Sequence, residues 1–248
     1  MTMTKGAKLS LLFISLTIML MAALMSGVIQ SSHWNIDNIE LDAEFRRVNT
    51  EQIRIAVATY PERSFFKVNA TTIRDNIKVI PWVQQVTVNK KWPNSLVIKV
   101  IEHKAVAVWN KDKLLNENGE IFEVDSIDDL TALPHIRGNN QNSQQIWDKF
   151  IRFNNIVKNT GFDIISTTVS NRGGWSLSLS NGMNINLGSQ KMDAKLVRLT
   201  DTWARLLKQN EQMPKYIDLR YTNGYAVKWS QLQINNHNLA QITGKNNG

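Results

Sequence analysis

Four histidines are spread along the chain, and none has the neighbours that chemistry would require. His33, His103, His135 and His237 have no second histidine at i+4 and no His-Glu-x-x-His string, the spacing that puts two ring nitrogens and a general base on one helix face around zinc. There is no Gly-x-Ser-x-Gly elbow and no glycine-rich phosphate loop. Glu123, Asp125, Asp128 and Asp129 form an acidic cluster, but they lack the ordered alternation of oxygen ligands that a calcium loop uses, and they read as a solvated loop. Two distant carboxylates meet only in space, so a hydrolase built on such a pair stays open at the level of sequence. With no cysteine in 248 residues, disulfide and thiolate chemistry are excluded. Eight tryptophans could stack on a glycan, yet Trp175, Trp203 and Trp229 fall on apolar faces and read as core. The pattern favours an interaction protein over an enzyme, with no cofactor, no metal and no catalytic residues.

The elements that must position any binding surface begin with an anchor. Residues 9–29 carry no charge, and Lys5 and Lys8 stand just before them. At 1.5 Å per residue the run is about 31 Å long, enough to cross a hydrocarbon core of roughly 30 Å. Its hydroxyls can bond back to their own helix, and the two lysines hold residues 1–8 in the cytoplasm as a short tail. A cleaved signal peptide is the alternative, but its apolar part is usually shorter and ends in a small-x-small site. Trp34 suits the interfacial belt of a retained single span. The remaining chain then lies on the far side of the membrane. Net charge is +8, with Lys and Arg scattered rather than clustered. Behind an anchor that balance reads as a solvated surface, not a nucleic-acid site.

Residues 34–103 read as β-α-α-β-β. Ile36 to Leu41 is extended. A helix follows an Asn49 or Thr50 cap, with Ile53, Ala56, Val57 and Tyr60 at helical spacing before Pro61. Asn69 caps a second helix carrying Ile73, Ile77 and Ile80, stopped by Pro81. Val86 and Val88 then alternate, Lys91-Trp92-Pro93-Asn94 turns the chain, and Leu96, Ile98 and Val100 line a return strand.

Residues 104–230 are strand-rich with two helices. Ile146, Phe150, Phe153 and Val157 mark one helix, ending at Gly161. Leu196, Leu199, Trp203, Leu206 and Leu207 mark the other, with Lys191, Lys195, Arg198, Asp201, Arg205 and Lys208 on its outer face. Two hairpins can be placed in register as three-residue loops with a glycine bulge. Ser180-Asn181-Gly182 pairs Leu179 with Met183, Leu177 with Ile185 and Trp175 with Leu187. Thr222-Asn223-Gly224 pairs Tyr221 with Tyr225, Leu219 with Val227, Ile217 with Trp229 and Asp218 with Lys228. The strand over residues 225–229 is then an edge whose backbone groups remain open to an extended partner segment. Residues 231–248 are Gln/Asn-rich with few apolar side chains and read as a disordered tail.

The strings Ile80-Pro81-Trp82-Val83, Lys91-Trp92-Pro93, Leu114-Leu115-Asn116 with Gly119, Leu133-Pro134 with Gly138, Arg172 ahead of Trp175, and Asp218-Leu219-Arg220-Tyr221 occur in this order behind the anchor. In them the chain resembles the bacterial FtsQ (DivIB) cell-division family in its proteobacterial form. The resemblance implies an α+β fold: one N-terminal transmembrane helix, a POTRA domain (β-α-α-β-β) over residues 34–103, and a β domain with two helices over 104–230. It also implies a non-catalytic divisome scaffold at the septum of the inner membrane, its N-terminus cytoplasmic and its domains periplasmic. That scaffold would bind FtsB and FtsL through the β domain and other divisome proteins through the POTRA domain, linking early cytoplasmic with late periplasmic division proteins. By position in the matching strings the resemblance implies that Arg172, Arg220, Tyr221 and Trp229 line the partner surface, with Asn223 and Gly224 counted to the same surface. The hairpin register puts Tyr221 and Trp229 on the apolar face and Arg220 on the other, so a direct contact falls more readily to Arg220. Rival classes are a POTRA-bearing accessory of protein export and, behind it, an anchored cell-wall enzyme.

Overall fold

The computed structural model describes residues 5–29, 35–208 and 212–230. Met1 to Thr4, Trp34 with its expected place in the interfacial belt, and the tail over residues 231–248 lie outside the described residues. Helix α1 (Lys5–Ile29) takes up the uncharged run. Ser15, Thr17 and Ser26 donate to the carbonyls of Leu12 (3.0 Å), Ile14 (2.8 Å) and Ala23 (2.9 Å), which satisfies each hydroxyl within the helix. Large apolar side chains from Leu12 to Met25 stand exposed. Among the described residues no helix is long and apolar enough to cross a membrane.

Beyond α1 the chain forms two compact units that divide between His103 and Lys104. The first has the order β1 (Asn38–Asp42), α2 (Thr50–Ala58), α3 (Ala70–Lys78), β2 (Val83–Lys91) and β3 (Ser95–Glu102). Asn49 and Gln52 form a reciprocal capping box on α2, and Asn69 caps α3. The sheet order is β1-β3-β2. β1 lies parallel to β3 and β3 antiparallel to β2, so the two helices carry the chain from β1 at one edge of the sheet to β2 at the other, and the β2–β3 hairpin then fills the centre. Ile53, Ile73 and Ile77 from the helices close over Val83, Val86, Leu96, Ile98 and Val100. At the end of β3 the Glu102 carboxylate accepts the N–H groups of Arg46, Arg47 and Val48 at 2.8–3.2 Å. It thereby holds the turn that leads into α2.

Among the described residues the second unit is built on one nine-stranded mixed sheet, order β12-β11-β10-β9-β8-β7-β4-β5-β6. Its strands are β4 (Ala105–Trp109), β5 (Lys113–Asn116), β6 (Ile121–Glu123), β7 (His135–Arg137), β8 (Ile164–Val169), β9 (Trp175–Leu179), β10 (Asn184–Gly188), β11 (Pro214–Asp218) and β12 (Ala226–Trp229). Helices α4 (Ser143–Val157) and α5 (Met192–Lys208) bring Phe150, Phe153, Leu196, Leu199 and Trp203 into one core with Trp109, Trp175, Leu177 and Ile185 of the sheet. Trp147 also turns inward and donates its Nε1–H to the Glu117 carbonyl at 3.0 Å.

The hairpin β9–β10 has the expected three-residue loop. Leu179 N donates to Met183 O at 2.8 Å, and Gly182 takes the left-handed conformation at φ +84°. Leu177 faces Ile185, while a second bulge moves Trp175 opposite Gly188 instead of Leu187. All six apolar side chains remain buried.

The hairpin β11–β12 differs from expectation. Ile217 pairs with Val227, Asp218 with Ala226, Tyr216 with Lys228 and Pro214 with Trp229. The register is therefore offset by two residues, Asp218 does not face Lys228, and residues 219–225 form a seven-residue loop. Its cause lies on the neighbouring elements: Leu219 N stays on β10 through Asn186 O at 2.7 Å, and side chains of α5 hold the rest of the loop. Tyr221 is 58% exposed rather than part of an apolar face.

Candidate partner-binding site

Five of the six expected site residues gather at one end of the large sheet. β10 and β11 are parallel and end there, with β12 starting and β8 passing into β9 at the same end. Arg172 sits in the tight turn over residues 170–174, closed by Gly173 N to Ser170 O at 2.9 Å. Arg220, Tyr221, Asn223 and Gly224 lie in the loop over residues 219–225. The end of β10 stands between these loops: Gly188 abuts the Arg220 stem, and Ser189 approaches Gly173. Trp229 does not join them. It lies three residues farther along β12, opposite Pro214 and half-buried against the core, so it supports the strand from within.

Asp218 fixes Arg220. The buried carboxylate accepts the Arg220 backbone N–H at 3.0 Å, Nε–H at 3.0 Å and Nη2–H at 2.7 Å. These charge-assisted bonds, foremost the Arg220 side-chain bond, hold the Asp218 carboxyl below the usual carboxylate range against the opposing effect of burial. The same pairing raises the pKa of Arg220. Its side chain stays 61% exposed, so a rigidly aimed guanidinium faces solvent.

Sequence periodicity missed the support beneath the loop. Arg198, placed by its helical position on the outer face, turns to the loop instead. Its Nη1–H donates to Thr222 O at 2.8 Å and its Nη2–H to Gly224 O at 3.1 Å, with Tyr221 O at 3.5 Å. Lys195 reaches Leu187 O at 3.2 Å and Arg220 O at 3.4 Å. Thr202 and Tyr225 join their hydroxyls at 2.8 Å. Only the spacing of 195, 198 and 202 along one helix edge could have signalled this stripe. Lys191, Lys195, Arg198 and Arg220 line a cleft of about 180 Å³ that has no carboxylate among its lining residues.

Among the described residues β12 is one of the two edge strands of the sheet, with β6 the other, and its side chains alternate between exposed (Ala226, Lys228) and half-buried (Val227, Trp229). The acidic cluster does not converge. Glu123 pairs with Lys113, and Asp128 closes a turn with Ser126. Among the described residues no group of three or more histidine or acidic side chains is placed to hold a metal ion.

A three-stranded β-α-α-β-β unit followed by a strand-rich mixed sheet defines a POTRA domain joined to a β domain. Residues 34–103 match the family model described as "POTRA domain, FtsQ-type", and residues 107–220 match "Cell division protein FtsQ/DivIB, C-terminal". The chain is 32% identical over 221 residues to the cell division protein FtsQ of Xanthomonas campestris pv. campestris, covering 88% of this chain and 78% of that one. It is 30% identical to FtsQ of Shewanella oneidensis, covering 80% and 75%. With FtsQ of Burkholderia pseudomallei the identity is 26%, over 88% and 89% of the two chains. The chain belongs to the FtsQ/DivIB family of cell division proteins.

Proposed function

We propose that the chain is a non-catalytic scaffold of the division septum that captures FtsB- and FtsL-type partners on its β domain. The observation that carries this reading is the outer edge of β12, bordered at its start by the loop that displays Arg220 and Tyr221. An extended partner segment added to that edge gains main-chain hydrogen bonds. The alternation along β12 and the nearby cationic loops provide selectivity, favouring a segment with an acidic residue near its end. In this reading the anchor rests on the sequence alone: the uncharged run over residues 9–29, with Lys5 and Lys8 before it, holds the scaffold in the inner membrane with its N-terminus cytoplasmic, and both domains act in the periplasm. Through the POTRA domain it meets other divisome proteins, joining early cytoplasmic with late periplasmic components.

Pull-down of a purified FtsB-type periplasmic segment tests the site. Arg220→Glu should sharply weaken capture. Because this change also sets a carboxylate beside Asp218, Tyr221→Ala is the companion variant: its exposed ring supports no core residue, and it should lose at least tenfold in affinity with an unchanged melting temperature. Ending the chain after Gln231 should preserve capture, whereas ending it before Tyr225 should abolish it. Normal capture by both point variants, or dependence on residues beyond Gln231, would place the site elsewhere. A fluorescent fusion in dividing cells should form a mid-cell band; uniform envelope signal would favour the export reading.

A further inference from the structure

We infer that Arg198 of α5 is a positioning residue for partner capture, setting the shape of the loop over residues 219–225 before a partner arrives. The inference rests on the proposed site and concerns a residue outside it. Among the described residues, no backbone hydrogen bond joins residues 220–225 to one another. A seven-residue loop between paired strands is thus left without a turn bond of its own. Arg198 supplies the missing constraint by donating to Thr222 O and Gly224 O, with Tyr221 O at the limit of range.

Helix docking does not account for this arrangement. Leu196, Leu199, Trp203 and Leu206 already bury the apolar face of α5, so the helix has no need of Arg198 to stay in place. The guanidinium lies among carbonyls rather than carboxylates, and among the described residues its buried Nε has no hydrogen-bond partner. A planar fork can bind two carbonyls of one loop at once, whereas an ammonium acts as a point charge. Lys195, one turn earlier, holds the carbonyl of Arg220 itself. The two cations therefore fix successive parts of the loop, while Asp218 aims the Arg220 side chain. A loop held in its binding shape spares the complex the cost of ordering it.

The test uses Arg198→Met, which keeps an apolar stem and removes the donors, together with Arg198→Lys. In the full-length protein in detergent, capture of the purified FtsB-type segment should weaken at least tenfold for Arg198→Met, with Arg198→Lys intermediate. Amide exchange should accelerate at residues 220–225 and stay unchanged in α5 and β10, and the melting temperature should stay within a few degrees. Wild-type affinity in Arg198→Met, with Tyr221→Ala still defective, overturns the inference alone. Accelerated exchange throughout α5 and the sheet, with a large fall in melting temperature, also overturns it, because Arg198 is then a general support. Wild-type capture by Tyr221→Ala and Arg220→Glu overturns the site and this inference together.

Discussion

Asp218 and Arg220 are two residues apart, and their pairing sets a pH limit on the loop. The Asp218 carboxyl is held below its ordinary value in the folded chain, chiefly by the Arg220 side-chain bond. Stability from such a group is fully present above the unfolded value, about 3.9, and is lost as pH falls through the folded value. Loop order and partner capture should therefore be constant from pH 7 to 5 and decline below about pH 4. Asp218→Asn should weaken capture at pH 7 and flatten that acid limb; pull-downs across the pH series in both proteins read the difference. Gly188 makes a second residue-scale demand. Its φ is +70°, and a Cβ there would lie 3.2 Å from Arg220 Cγ. Gly188→Ala should cost about 1 kcal/mol in backbone strain and reduce capture, measured by denaturant unfolding and pull-down. The resemblance named Arg172, Arg220, Tyr221, Asn223 and Gly224, and the fold brings these five to one end of the large sheet. Arg198 was not legible in the sequence: periodicity separates apolar from polar faces, but it does not tell which polar side chain at the border of the stripe bends back to a loop.

At the level of elements, the two hairpins show where local rules hold and where neighbours override them. Ser180-Asn181-Gly182 folds as a bulged three-residue loop because the glycine position, the alternation and the core face all agree. Thr222-Asn223-Gly224 carries similar turn chemistry, yet Leu219 remains on β10 while Asp218, Lys195 and Arg198 capture the following residues. The Asp218 contact is local, but those from β10 and α5 come from a parallel neighbour and from a helix 24 or 25 residues away, beyond the reach of a window reading. A cysteine pair at Ser178 and Asn184 should cross-link, since the two residues face each other across β9 and β10. A pair at Tyr216 and Lys228 should cross-link as well, and one at Asp218 and Lys228 should not. Efficient bridging of the last pair would restore the shorter loop and undo the placement of Arg198. The capped helices α2 and α3 and the stripes of α4 and α5 were readable because capping and apolar spacing act locally. The parallel neighbours β1–β3, β4–β7, β7–β8 and β10–β11 depend on contacts across long stretches of chain, and no local signal announces them.

At the scale of the whole chain, one cluster of buried apolar side chains is drawn entirely from residues 48–100 and another from residues 107–219, with Val108, Leu114 and Phe122 buried outside both. A unit with its own core and its own complete sheet should fold without the other. We therefore expect fragments 34–103 and 104–230, produced separately, each to melt cooperatively, with only the second capturing the FtsB-type segment. Glu102 provides the internal control. Its carboxylate serves three backbone N–H groups of the first unit, and only that of Val48 is part-buried, so Glu102→Ala should cost about 1 kcal/mol. In a domain of this size that corresponds to a fall of roughly 4–8 °C in the melting temperature of fragment 34–103. The same substitution in the full-length chain should leave partner capture unchanged. Loss of capture in full-length Glu102→Ala, or a fragment 104–230 that unfolds without residues 34–103, would show that the β domain depends on the POTRA domain for its binding-competent form.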